Sequence, residues 1–186
     1  MTERYLHAAI RVSAAARDRQ RVATYMAHLA VRHLKVGGPK EALSLLRAAQ
    51  VAEPNPTPIL AATVRAHEAL AYARLGGAST KAMDFSARVM DTDTTNLPDA
   101  HVDDALKETL GLLGGLTWLH LEQPKKSLPH FAPVLEGVSS PHASGPLPPL
   151  TAHGLLGAVE ARLALGELDA ATVVRDLFGL LAERHH

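Results

Sequence analysis

Arg21, Tyr25, His28 and Arg32 stand at offsets of 4, 7 and 11 along one stretch of the chain. On a helix those offsets share a face, opposite an apolar stripe that includes Val22, Met26 and Leu29. Two guanidiniums, a phenol and an imidazole in such a row can grip a carboxylate or a peptide backbone. The same row also reads as an ordinary solvated face, and the sequence leaves both readings open. Arg65, Glu68 and Tyr72 repeat the pattern further along.

Groups that would do covalent or metal chemistry are not arranged for it. Eleven histidines are present, but no HExxH pair occurs, and there is no cysteine to complete a thiolate site. The stretch beginning at Asp91 opens as D-x-D-x-T, like a calcium loop, yet lacks the central glycine and closing glutamate of one. Glu68 beside His67, and Asp103 close to His101, resemble acid–base pairs only on paper, because near neighbours on a helix point in different directions. No glycine-rich phosphate loop and no G-x-S-x-G elbow is found. The expectation is binding without turnover: no catalytic residue, no cofactor and no metal.

The elements that must position these side chains are helices. Alanine and leucine dominate the 186 residues, aromatic residues make up only 4%, and apolar residues recur at spacings of three and four. Glycine and proline supply the punctuation: "VGGP" from Val36 ends one helix and starts the next. Nine helices are expected, at about 4–16, 19–35, 39–53, 57–75, 79–91, 99–121, 124–136, 149–165 and 168–184. Between them, Asp91–Asp104 and Gly137–Pro149 read as surface connections.

The turn at Val36 recurs. "LGGASTKAMDF" from Leu75, "LEQPKKSLPHF" from Leu121 and "LGELDAATVV" from Leu165 each follow one helix and open another. The loose period, near about 40 residues, is that of stacked helical hairpins that cannot bury their apolar faces alone. In the first hairpin Ala30, Gly37, Ala42, Leu46, Ala49 and Pro54 match the tetratricopeptide pattern of small residues at helix crossings, glycine at the turn and a closing proline. Gly115, Trp118, Ser127 and Phe131 match in the third hairpin, Ala69, Tyr72, Gly76 and Ala82 in the second, and Ala158, Gly166 and Ala171 in the fourth. The chain therefore resembles a tetratricopeptide-repeat array. "RVATYMAHLAVRHLKVGGPKEALSLLRAAQ", "TPILAATVRAHEALAYARLGG" and "LEQPKKSLPHFAPVLE" also resemble the C-terminal repeat region of actinobacterial helix-turn-helix transcriptional regulators. No helix-turn-helix of its own is found, so the expectation is a separated repeat domain or a free-standing relative.

The fold expected is all-α: a right-handed superhelical array of about four hairpins plus an N-terminal helix, one domain over 1–186 with hairpins at about 19–54, 57–91, 99–136 and 149–184. The resemblance implies that the first helix of each hairpin lines a concave groove, which would hold Arg21, Tyr25, His28, Arg32, Arg65, Glu68 and Tyr72. Trp118 is expected in the core. Nineteen basic against nineteen acidic side chains give no net pull toward nucleic acid or anionic lipid. No stretch reaches the roughly 18 apolar residues of a membrane span, so a soluble cytoplasmic protein is expected. The function expected is a non-catalytic module of a regulatory protein, with a protein or peptide as partner. A small-molecule sensor is the alternative, favoured by a large apolar pocket, and a small helical enzyme ranks behind both. The last helix, with Val173, Val174, Leu177, Phe178, Leu180 and Leu181, is more apolar than one packing face requires, and a homodimer through it is expected.

Overall fold

The computed structural model describes residues 3–76, 104–139 and 149–167, and every regular element among them is a helix. Seven helices form: α1 (Glu3–Ala15), α2 (Arg19–Lys35), α3 (Pro39–Ala52), α4 (Pro58–Arg74), α5 (Asp104–His120), α6 (Pro124–Ser139) and α7 (Pro149–Ala164). Their ends fall within a few residues of those expected, except that the start expected for α5 precedes the described residues. The helices expected at 79–91 and 168–184, and with them the proposed dimer surface, also lie outside the described residues. No described helix is long and apolar enough to cross a membrane.

Local chemistry explains the starts. Asp18 caps α2 by accepting the Arg21 backbone N–H at 3.0 Å, and Thr57 caps α4 through the Leu60 N–H. Pro39, Pro58, Pro124 and Pro149 each open a helix, where an amide hydrogen is not needed. Inside α6, Pro129 and Pro133 deny partners to the carbonyls of Lys125 and Pro129. All three residues lie on the exposed side, where water can replace the missing donors.

Five of the described helix ends share one device. Arg17, Gly37, Gly76, Glu122 and Gly166 all have positive φ, between 57° and 83°. At four of these turns the following amide reaches back five residues: Asp18 to Ser13 O (3.0 Å), Gly38 to His33 O (2.8 Å), Gln123 to Trp118 O (2.9 Å) and Glu167 to Arg162 O (3.0 Å). This is a left-handed cap that satisfies the last carbonyls of each helix. Four of the five turns are those aligned from the sequence. The fifth, at Arg17, falls at the break expected between 4–16 and 19–35, but its sequence does not repeat that of the other four.

The chain divides into two compact units, Met1–Asp103 and Asp104–His186. In the first, α1 packs on α2, α2 on α3, and α4 on both α2 and α3. Gln20 Nε2 donates to Thr57 Oγ1 at 2.9 Å near the starts of α2 and α4, and Arg74 donates to the Leu34 carbonyl near their ends. These two bonds make α2 and α4 parallel neighbours. The core is built largely of alanine and leucine, with Ala23, Ala27, Leu29, Ala30, Ala42, Leu46 and Ala49 all buried. A fully buried side chain such as Leu46 contributes about 1.5–3 kcal/mol. Helix α4 buries residues on nearly every side, as a central helix must.

In the second unit α5, α6 and α7 pack against one another around Phe131. A methyl group built on Gly115 would come within 2.6 Å of the Phe131 ring, and one on Gly157 equally close. The ring therefore fills a slot cut by two glycines. Trp118 is buried, as expected, with the Lys126 ammonium 4.6 Å from its ring centre. The buried hydroxyls of Thr117 and Ser127 donate to Leu113 O and Pro124 O, at 2.7 and 2.8 Å.

Candidate functional site

Along α2, Val22 and Leu29 turn into the core while Arg21, His28 and Arg32 stay exposed and Tyr25 is half-buried. That separation is the one read from the sequence, except that Met26, expected in the apolar stripe, is only half-buried, like Tyr25. Arg21 lies 3.2 Å from the Asp18 carboxylate, so the residue that caps α2 also tethers the first cation of the row. At the other end, Arg32 Nε is 3.7 Å from Glu3 Oε2, and Glu3 Oε1 is 3.6 Å from His7 Nε2. Glu3, Arg4, Tyr5, His7 and Arg32 border one shallow basin between α1 and α2. Helix α1 therefore belongs to this surface, although its residues carried no such signal in the sequence.

The set on α4 has other neighbours. Glu68 is only 6% exposed, and Gln50 Nε2 of α3 donates to its Oε2 at 2.9 Å. Burial pushes the Glu68 carboxyl above its ordinary range, while the Gln50 bond and the charges of Arg47 and Arg65 act against that rise. Arg47 Nη2, also of α3, donates to the Tyr72 hydroxyl at 2.6 Å, with the guanidinium 5.9 Å from the ring centre. Glu68 and Tyr72 thus turn toward α3, whereas Arg32 turns toward α1. Arg65 is half-buried and borders a cleft among α2, α3 and α4 of about 240 Å³, with Gln50, Glu53, Leu60 and Val64. Sequence reasoning missed Arg47 and Gln50. Their spacing of three on α3 was the available signal, but it does not say which helix lies opposite.

His67, next to Glu68, points elsewhere. Its Nδ1 lies 2.7 Å from the Thr63 carbonyl. Burial pushes the imidazole below its ordinary range, the Thr63 contact opposes that shift, and the nearby His28 and Lys35 charges reinforce it. No acid–base pair is formed by these two adjacent residues. Among the described residues, no group of three or more His, Cys, Asp or Glu side chains converges to hold a metal ion.

Comparison with protein-family models, curated proteins and solved structures found no match. The geometry alone defines a class: an all-helical chain whose first unit presents a row of cationic and aromatic side chains on α2, flanked by α1.

Proposed function

We propose that the chain is a non-catalytic interaction module, built as a tetratricopeptide-like helical array and acting within a regulatory protein. The partner is a protein or peptide that docks on the α2 face. The observation that carries this reading is the exposure of Arg21, His28 and Arg32 on one side of a helix whose opposite side is locked into the core. A rigid element presenting arginine and tyrosine suits recognition of carboxylates and backbone carbonyls. The recurrent left-handed turns and the parallel α2 and α4 support the repeat architecture. The basin bordered by Glu3, Arg4, Tyr5, His7 and Arg32, about 840 Å³, is open and edged mostly by charged side chains rather than enclosed and apolar, which favours a macromolecular partner over a sensed metabolite.

The test is capture from native lysate with the wild-type chain and with Arg32→Glu. Arg32 is exposed, so reversing its charge should change stability by no more than about 0.5 kcal/mol. Partners that depend on the α2 face are expected to disappear from the Arg32→Glu capture. Unchanged recovery by a folded Arg32→Glu protein would place recognition elsewhere.

A further inference from the structure

The zero net charge of the chain conceals a segregation. Residues 1–76 hold eleven of the nineteen Lys and Arg but only five of the nineteen Asp and Glu. Helices α1 and α2 with their turn, residues 3–35, carry seven Lys and Arg against two acids, Glu3 and Asp18. Both acids are engaged: Asp18 with Arg21, and Glu3 with His7 and Arg32. Expectations drawn from the whole-chain charge therefore do not describe this surface.

We infer that the face formed by α1 and α2 docks an acidic protein segment, and that a carboxylate of that segment takes the place of Glu3 between His7 and Arg32. This rests on the assignment of the α2 face as the binding surface. Arg4 and Arg11 on α1, with Arg21 and Arg32 on α2, supply the cationic complement, and the His7 and His28 imidazoles stand among them. Glu3 shows what the position accepts, because its two oxygens already reach the His7 imidazole and the Arg32 guanidinium, on two helices, at 3.6 and 3.7 Å. Displacing it costs little. The Glu3 and Arg32 side chains are 47% and 45% exposed, and an exposed pair at such a distance is weak.

The same geometry disfavours nucleic acid. Duplex DNA presents a charge about every 1.7 Å, and a continuous phosphate track would run against Glu3 and Asp18, which lie among the cations. A protein segment with separated carboxylates can meet the arginines individually, through charge-assisted bonds.

Fluorescence anisotropy of the full chain tests this with three labelled probes: a capped helical peptide with glutamates at i, i+4 spacing, its glutamine counterpart, and a duplex oligonucleotide. The glutamate peptide is expected to bind in a salt-sensitive way and the glutamine peptide is not. Glu3→Gln should tighten glutamate-peptide binding by about two- to fivefold, the range of an exposed ion pair. Arg32→Gln should weaken it about two- to fivefold. Unchanged affinity in Glu3→Gln, alongside clear loss in Arg32→Gln, would overturn the displacement and leave the α2 face as the binding surface. Insensitivity to both variants would remove that surface as well. Preference for the oligonucleotide, or no binding of the glutamate peptide, would overturn the acidic-segment assignment, while capture that still depends on Arg32 would keep the α2 face.

Discussion

The hairpins α2–α3 and α5–α6 meet the same steric demand with different residues. Counted from their shared turn, Ala30 corresponds to Gly115, Ala42 to Ser127 and Leu46 to Phe131, and all six are buried. The first hairpin uses a medium side chain beside alanines. In the second, the large residue has grown to phenylalanine, and the small one has lost its methyl group to admit the ring. Volume is conserved across the pair rather than at each position, as close-packed interiors require. The second solution is the more brittle, since one ring supports contacts to two glycine helices at once.

The largest expected effect follows from that brittleness. Phe131→Ala empties a slot lined by Gly115 and Gly157, neither of which has a side chain to move into it, and should cost about 3–5 kcal/mol. Urea unfolding of the intact chain would measure it, with Leu46→Ala as the counterpart in the first hairpin. A smaller cost for Phe131→Ala than for Leu46→Ala would break the comparison.

Gly115→Ala is the sharper experiment. Alanine favours a helix over glycine by about 0.5–1 kcal/mol, but here its methyl group meets the Phe131 ring at 2.6 Å. A net loss of about 1–3 kcal/mol is expected. Adding Phe131→Leu would recreate the Ala30 and Leu46 arrangement and should recover much of that loss in a double-mutant cycle. Additive effects would show that the two positions do not compensate.

The smallest effect lies in the turns. Gly37 and Glu122 adopt the same left-handed conformation, at φ 83° and 59°, and only glycine does so without steric cost. Glu122→Gly should stabilise the chain by about 0.5–1 kcal/mol, after the greater chain entropy of glycine offsets part of the gain. Thermal unfolding that moved the other way would mean that the Glu122 side chain makes a compensating contact.

These positions also show what the sequence could reveal. The helices were legible because glycine and proline mark most of their ends and the apolar period runs between them. The break near Arg17 was legible too, but not its kinship with the other turns, because a left-handed cap is a property of the backbone and at Arg17, as at Glu122, no glycine marks it. The slot around Phe131 was half visible: Gly115 fell into the repeat pattern, but Gly157 comes from α7, and its partner across the slot depends on packing. The same limit applies to the candidate site. Arg21, Tyr25, His28 and Arg32 on α2 look much like Arg65, Glu68 and Tyr72 on α4, since both rows have helical spacing. Spacing assigns residues to a face but not a neighbour to that face. Glu68 and Tyr72 meet α3, Arg32 meets Glu3 of α1, and only the α2 row keeps an open side.

His67 and Glu68, adjacent on α4, have opposite effects on the proton inventory of the chain. As the solution is acidified through the ordinary imidazole range, the unfolded chain takes up a proton at this histidine that the folded chain refuses, and stability falls. Glu68, whose range is raised, becomes protonated in the folded chain before it does so in the unfolded one, so its contribution to stability grows as the pH falls. The helix at the centre of the first unit thus carries two adjacent buried groups whose contributions to the pH dependence of folding have opposite signs.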